Sequence, residues 1–372
     1  MQKKIVIIED ELILQELHMH YVTNLGHEVI ACFQTGSEAI DFFKNNTADL
    51  ILMDIRLEGD MNGIETAEKI QEISNVPLVY VSANNNDNLY NKALGSSSMK
   101  GYLSKPLSPK ELDDVIKSIT NITDSINYAY KIQKQLFAKE EELNSIFKDY
   151  IYINRPKDIV SGDFCFISEK NNDGEIIIAL GDCTGHGVPG ALLSIICYNL
   201  LKNLTDNTSD LKTIISQIYT RLKSILSPTL SLQVLNDSLD ISVFKIKDGS
   251  KVIEITGAKR ELLFYDSQER EIKIIKLKMK NEDLDSAPLI KIEFHDDDVF
   301  YFYSDGITDQ FGGNFDKKLT RKRLKNFLLS ESLNTDMKLK QYRLNIFLRK
   351  WQGRINQTDD MIFLGIRPSL YL

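Results

Sequence analysis

From Lys3 to about Thr120 short runs of β-branched residues alternate with helical patterns. The runs Lys4–Ile8, Glu28–Cys32, Leu50–Met53, Leu78–Val81 and Gly101–Leu103 predict five strands. That rhythm predicts a doubly wound α/β domain, a parallel sheet with helices on both faces. Between Asn121 and about Lys148 glycine and proline vanish, and apolar residues recur with helical spacing at Ile122, Ile126, Ala129, Leu136, Leu143 and Phe147. One amphipathic helix is expected there. A heptad seam would place Gln133 and Glu140 at core positions, so a long coiled coil is not expected. A short pairing helix that makes a homodimer and a helix packed on its own domain both stay open.

From Asp149 onward strand patterns dominate, at Glu175–Leu180, Leu239–Ile246, Lys251–Thr256, Leu262–Tyr265, Ile272–Leu277, Asp298–Tyr303 and Met361–Ile366. Helical patterns lie at Ala191–Leu204, Asp210–Leu226, Thr320–Leu329 and Asp336–Lys350. Strands that follow one another without a helix between them pair antiparallel, so the second domain is expected to be an α+β sandwich. The expected division is a domain at 1–120, a helical linker at 121–148 and a second domain at 149–372.

The 372 residues suffice for two cores. The formal charge of −8, with both signs interspersed, argues against binding nucleic-acid phosphates. Cys32, Cys165, Cys183 and Cys197 show no CxxC or metal-finger spacing and read as free thiols of a reducing cytoplasm. No signal peptide is expected, and no apolar run approaches the roughly 20 residues that cross a bilayer, so no membrane association is expected.

In an open parallel sheet the site lies beyond the carboxyl ends of the strands. There stand Glu9 and Asp10 after the first strand, Asp54 after the third, Ser82 after the fourth and Lys105, followed by Pro106, after the fifth. A carboxylate that accepts a phosphoryl group needs a divalent cation, and a hydroxyl and a cationic side chain to hold the product. Asp54 is the expected nucleophile, Asp10 the main Mg²⁺ ligand with Glu9 assisting through water, Ser82 the hydroxyl and Lys105 the counter-charge. With MDIRL around Asp54, VSA around Ser82 and YLSKPL around Lys105, residues 3 to 120 resemble the response-regulator receiver family. The resemblance implies that Tyr102 rotates with Ser82 on phosphorylation and that the Arg56 carbonyl completes the metal site. Glu9 and Ser82 stand where Asp and Thr are commoner, and Asn84 to Asn88 form an asparagine-rich loop beside Ser82.

The second domain carries acids in glycine-rich turns: SGDF at Ser161–Phe164, GDCTGHG at Gly181–Gly187, SDGITD at Ser304–Asp309, and TDDM at Thr358–Met361. Carboxylates on distant strand ends can converge, and oxygen-only ligation favours Mg²⁺ or Mn²⁺. Two such ions about 3.5–4 Å apart can hold a hydroxide in line with a phosphoryl group, which points to a phosphomonoester hydrolase. These motifs, in this order from about Asn154 to Arg367, resemble the PPM-type metal-dependent protein phosphatases. The nearest branch is that of the stage II sporulation phosphatase and the general-stress phosphatases.

That resemblance implies an α-β-β-α sandwich holding two Mn²⁺ or Mg²⁺ ions. It further implies that Asp182 bridges both metals with the Cys183 carbonyl as a further ligand, that Asp305 and Asp359 bind one metal, and that Asp163 serves the other. Asp309 and Asp360 would support the site, and His186 is either a general acid or a helix-start residue. Lys259-Arg260 is either a surface pair or a contact to phosphorylated substrate, and Asp296-Asp297-Asp298 reads as a solvated turn. The stretch Asn281–Ile290 lacks the expected glycine-rich turn before the acidic hairpin.

Joined, the halves imply a sensor histidine kinase that phosphorylates Asp54 and a linker helix that carries the change. The resulting output is dephosphorylation of phosphoserine or phosphothreonine on a regulatory protein of the anti-sigma-factor-antagonist type. The other reading is a receiver-gated adaptor that grips a partner without catalysis; it gives no physical reason for four converging carboxylates, which would repel one another.

Overall fold

The computed structural model describes residues 2–59, 61–74, 76–83, 99–226, 239–277, 287–332 and 336–368. The chain divides into two compact units, Met1–Ser125 and Ile126–Leu372. The first alternates β1 (Lys4–Ile8), α1 (Leu12–Asn24), β2 (Glu28–Phe33), α2 (Gly36–Phe43), β3 (Leu50–Asp54), α3 (Gly63–Gln71), β4 (Leu78–Ser82) and β5 (Met99–Ser104). All pairs are parallel, in the order β2-β1-β3-β4-β5.

Strand side chains alternate between the faces. Val6, Ile8, Ile51, Met53 and Tyr80 pack on α2 and α3 through Phe43, Ile64 and Ile70. Ile5, Ile7, Leu50, Leu52, Val79 and Val81 take the other face with Val22 of α1. That face is completed by Leu112, Ile116 and Ile119 of α4 (Pro109–Leu136). Burial on both faces explains the unbroken apolar strands. Asn62 caps α3, accepting from Ile64 N and Glu65 N, while Glu65 reaches back to Asn62 N.

The helix expected over 121–148 is not one element. α4 ends at Leu136, and α5 (Glu140–Ile146) follows after a break. Packing overrides the periodicity, because Phe137 and Ala138 turn into the core. Phe137 lies against Phe164 and Tyr198, and Ala138 N–H donates to Cys165 O at 3.1 Å.

The second unit continues with β6 (Tyr150–Arg155), β7 (Asp163–Ile167), β8 (Glu175–Cys183), α6 (Gly187–Thr205), α7 (Leu211–Leu226), β9 (Leu239–Lys247), β10 (Val252–Ala258), β11 (Arg260–Asp266) and β12 (Glu271–Leu277). Then come β13 (Ile290–Glu293), β14 (Val299–Tyr303), α8 (Asp305–Asp309), the short β15 (Phe311–Gly312) and β16 (Lys317–Lys318), α9 (Thr320–Ser330), α10 (Met337–Gln352) and β17 (Met361–Ile366). Two antiparallel sheets form, β13-β10-β9-β8-β7 and β12-β11-β14-β17-β6.

Their inner faces meet through Ile178, Leu180, Phe244 and Ile255 of one and Phe264, Phe300, Phe302 and Leu364 of the other. Phe244 stacks on Phe302 with centroids 4.2 Å apart. The outer face of the first sheet is covered by α6 and α7, through Phe164, Phe166 and Val243 against Cys197, Leu201 and Ile215. The outer face of the second is covered by α9 and α10, through Tyr301 and Phe363 against Leu324, Leu344 and Leu348. The result is an α-β-β-α sandwich.

One expectation is corrected on the surface. Asp298 is not part of a solvated turn: it is buried, its Oδ1 and Oδ2 accepting from Ser267 N and His295 N at 2.8 Å each, while Asp296 and Asp297 stay exposed. The loop Asn84–Asn88 and most of Asn281–Ile290 lie outside the described residues. Among the described residues no helix is long and apolar enough to cross a membrane.

Candidate functional site

In the first unit the parallel sheet brings its strand ends to one edge. Glu9, Asp10 and Asp54 place three carboxylate oxygens within 4.8 Å of one another. Lys105 Nζ donates to Asp54 Oδ2 at 2.5 Å and to Glu9 Oε1 at 2.8 Å. Asp54 Oδ1 accepts from Arg56 N at 2.9 Å, and Asp10 Oδ2 accepts from Glu58 N at 3.0 Å. Ser82 is buried at the end of β4, with its carbonyl accepting from Lys105 N at 2.8 Å, and Tyr102 is half-buried on β5. A Cβ at Gly63 would fall 1.8 Å from Asp54 O, so only glycine lets α3 start against the strand that carries Asp54.

Burial pushes the Glu9 carboxyl up to about 7, with Asp54 adding to the push and Lys105 opposing it. Burial works against the Lys105 ammonium, yet its bonds to Asp54 and Glu9 outweigh this and hold its pKa above the ordinary value. The sequence reading misses His18, whose Nδ1 lies 3.7 Å from Glu9 Oε2. Burial, then the Lys105 charge, depress this imidazole to about 4. It also misses Gln15, whose Nε2 donates to Glu9 O at 3.2 Å and Phe33 O at 3.1 Å. Both sit on α1 at positions where helical spacing predicts only apolar core residues.

In the second unit Asp163 on β7 is directly opposite Asp182 on β8, and Asp182 is directly opposite Asp240 on β9. Residues opposite one another share a face, so three carboxylates line one end of this sheet. From the facing sheet Arg260 on β11 donates through Nη2 to Asp182 Oδ2 at 2.5 Å. Asp305 opens α8 just after β14, and Asp359 stands just before β17. A Cβ on Gly306 would lie 3.3 Å from Asp359 Cβ, which brings these two acids to the same end of their sheet.

Asp163 is 1% exposed, and neither of its carboxylate oxygens is in a hydrogen bond of ordinary geometry among the described residues. Burial, then the charge of Asp182, push its carboxyl well above the ordinary range, with the nearby Ser304 hydroxyl and Arg260 opposing. Burial pushes Asp240 up to about 6, with Asp182 adding and Arg260 opposing, and Asp305 is raised by burial and then by Asp182. Arg260 is held firmly charged: Asp182, Asp240, Asp163 and Asp305 together overcome the cost of its burial. Among the described residues three acids come within 4.8 Å only at the first site, so the second cluster is the looser one.

The backbone around this cluster is tight. A Cβ at Gly162 would meet Cys183 O and Gly185 O at 2.8 Å each, so glycine lets β7 start beside the Cys183 carbonyl. Asp360 is buried and structural, accepting from Lys157 N and Gly162 N at 2.7 Å each. Asp309 pairs with Lys318 at 2.7 Å. His186 stands at the N-cap position of α6 without a side-chain cap bond, and its Nδ1 lies 2.8 Å from Asp158 Oδ2. Arg260 is 8% exposed and turned onto Asp182, so it is not half of a surface pair, whereas Lys259 is exposed. The cysteines are free, and Cys183 and Cys197 lie with sulfurs 3.8 Å apart.

Two family models match this chain: the response regulator receiver domain over residues 5–117 and stage II sporulation protein E over residues 172–369. The second match takes in more than half of the chain, which therefore belongs to the stage II sporulation protein E family, with a receiver domain in front of the PPM-type phosphatase domain. Among curated proteins the chain is similar to the uncharacterized transcriptional regulatory protein YcbL of Bacillus subtilis, 31% identical over 144 residues, or 38% of this chain and 58% of that one. It is also similar to the transcriptional regulatory protein CrdR of Helicobacter pylori, 33% identical over 123 residues, or 32% and 56%. The chain thus spans just over half the length of these relatives. Among solved structures the SiaA-PP2C domain of Pseudomonas aeruginosa covers 67% of this chain and 98% of its own, with a TM-score of 0.59 at 22% identity, a likeness of fold.

Proposed function

We propose that this protein is a receiver-controlled serine/threonine phosphatase. A sensor histidine kinase supplies the phosphoryl group for Asp54, and the second domain hydrolyses phosphoserine or phosphothreonine on a small regulatory protein of the anti-sigma-factor-antagonist type. The observation that carries the reading is the buried Asp163 carboxylate, pressed against Asp182 with neither oxygen in a hydrogen bond of ordinary geometry among the described residues, Ser304 and Arg260 offsetting only part of its charge. A buried anion left in that state is costly, and a divalent cation is the partner that its oxygen-only surroundings fit.

Asp163, Asp182, the Cys183 carbonyl, Asp305 and Asp359 would hold two Mn²⁺ or Mg²⁺ ions, and Glu9, Asp10, Asp54 and the Arg56 carbonyl one Mg²⁺. Such ions supply charge neutralisation and, at the second site, a water acidic enough to attack phosphorus. Arg260 fixes one oxygen of Asp182 and offsets the charge of the surrounding acids. Asp360 fixes the turn that carries Asp163. In the receiver Lys105 holds one Asp54 oxygen, and the Arg56 amide holds the other. Attack by an Asp54 oxygen forms the acyl phosphate as the bond from phosphorus to the kinase histidine breaks, its electrons staying on the nitrogen. Lys105 and the Ser82 hydroxyl then hold the transferred oxygens, with Tyr102 following Ser82.

The test is Mn²⁺-dependent hydrolysis of a generic phosphomonoester by the full chain, with Asp182→Asn, and with a small phosphodonor in the presence and absence of Asp54→Asn. Asp182→Asn is expected to reduce turnover by more than about 100-fold. The phosphodonor should change turnover in the parent and not in Asp54→Asn. A folded chain whose second domain binds no Mn²⁺, with the receiver site disabled by Asp10→Asn, would overturn the phosphatase reading in favour of the adaptor.

A further inference from the structure

Gln133 is 3% exposed near the end of α4, a polar residue where the helical pattern offers no use for one. Its Nε2 donates to Ser161 O at 2.8 Å and to Ser194 Oγ at 3.1 Å, while its Oε1 accepts from Ser161 N at 3.0 Å. One side chain therefore grips both backbone polar groups of Ser161, as a neighbouring strand would. Ser161 Oγ in turn accepts from Asp163 N at 3.1 Å. Ser194 on α6 adds a further bond to Ser161 O at 3.0 Å. Just beyond, Phe137 packs on Phe164 and Ala138 N–H bonds Cys165 O, so the chain leaving α4 is fastened along β7 from the acidic turn onward.

We propose that Gln133 is the positioning residue of the Asp163 turn, setting where that carboxylate stands and hence how tightly the second domain holds metal. A buried amide that loses such bonds leaves donors and acceptors unsatisfied, so the arrangement has one preferred register. Hydrogen bonds at 2.8–3.1 Å do not survive a slide of about 1 Å, so a small axial displacement of α4 moves or releases Ser161. α4 runs from Pro109 to Leu136, and Gln133 lies on the part of it that belongs to the second unit together with Ser161 and Ser194. The metal half of this inference rests on the phosphatase reading above.

The experiment uses the full chain with Gln133→Met, which keeps side-chain length and removes the three bonds, and with the milder Ser194→Ala. Mn²⁺ half-saturation of the second domain is measured by calorimetry with the receiver's cation site disabled by Asp10→Asn in every protein compared, parent included, and amide exchange over Ser161–Cys165 is measured in metal-free protein. Gln133→Met is expected to raise the half-saturation concentration by about 10–100-fold, the usual effect of losing a group that orients a ligand, and to speed exchange at those amides. Ser194→Ala should shift both in the same direction by less. A folded Gln133→Met with parental Mn²⁺ affinity overturns the proposal even if its melting temperature falls. If Gln133→Met does not fold, Ser194→Ala decides in the same way. If the parent itself takes up no Mn²⁺, the phosphatase reading fails, and exchange alone decides: faster exchange supports the positioning role and unchanged exchange overturns it.

Discussion

The two acidic sites of this chain gather carboxylates by different means and balance them with different cations. The receiver draws Glu9, Asp10 and Asp54 from adjacent strand ends of one parallel sheet into a space under 4.8 Å. It answers them with Lys105, an ammonium whose side chain is 12% exposed and bonded to both Glu9 and Asp54. The phosphatase domain draws its acids from two sheets, leaves them further apart, and answers them with the buried guanidinium of Arg260. The receiver's acid group is compact and largely buried, Glu9 at 1% and Asp54 at 6%. A looser group around a fixed buried arginine has one neutralising partner built into the fold.

The contrast breaks most sharply if each cation is removed. Removing one partner of a buried ion pair leaves an uncompensated charge and costs about 3–5 kcal/mol. Arg260→Gln should therefore lower the unfolding free energy of the metal-free second domain by about that much, with Mn²⁺ restoring most of it. Lys105→Met should cost the receiver less, about 1–2 kcal/mol, because Glu9 already holds its proton to about 7 and so leaves less uncompensated charge. Urea unfolding of both variants with and without Mn²⁺ measures the pair. Equal losses would show that the raised Glu9 carboxyl does not soften the loss of its cation.

A second comparison isolates what acids do for a buried cation. Lys340 on α10 is 2% exposed, and burial depresses its ammonium to about 8, with the charge of Arg367 adding to this. Unfolded, the amine keeps its proton to about 10.5; folded, it gives it up near 8. Between those values the unfolded chain binds more protons, so stability rises with pH across that window, and the penalty is complete below it. Lys340→Met should accordingly stabilise the second domain by about 1–3 kcal/mol at pH 7 and by progressively less towards pH 10. Arg260→Met must act in the opposite direction. Thermal unfolding of the two variants across pH 7–10 checks both signs.

What could be read in the sequence follows the same division. The receiver site was legible because a parallel sheet places its chemistry at strand ends, and five short apolar runs locate those ends without knowledge of register. Asp163, Asp182, Asp305 and Asp359 stood out by their glycine-rich turns. Asp240 did not, since its membership depends on cross-strand register with Asp182, which no local pattern fixes. Arg260 stayed undecided because its inward direction follows from the turn at Lys259, whose φ is +57°. Gln133 counted only as a misfit in a heptad, because its partners at Ser161 and Ser194 lie 28 and 61 residues away. β6, β7 and β13 escaped as well: all three are edge strands, and β13 is only four residues long.

The smallest effect tests whether local capping and site chemistry separate in the receiver. Asn62 and Glu65 form a reciprocal cap at the start of α3, and Gly63 beside them lies against the Asp54 carbonyl. Loss of an asparagine cap typically costs about 1 kcal/mol. Asn62→Ala should lower the receiver's unfolding free energy by that amount and leave the Mn²⁺ half-saturation of the second domain unchanged. If the cap also sets the Asp54 loop, phosphoryl uptake from a small donor will slow by more than the lost stability explains, since Arg56 N, the donor to Asp54 Oδ1, lies on that loop. Uptake at the parental rate would instead confine the cap to helix stability and leave the compact acid group held by Lys105 and the Arg56 amide.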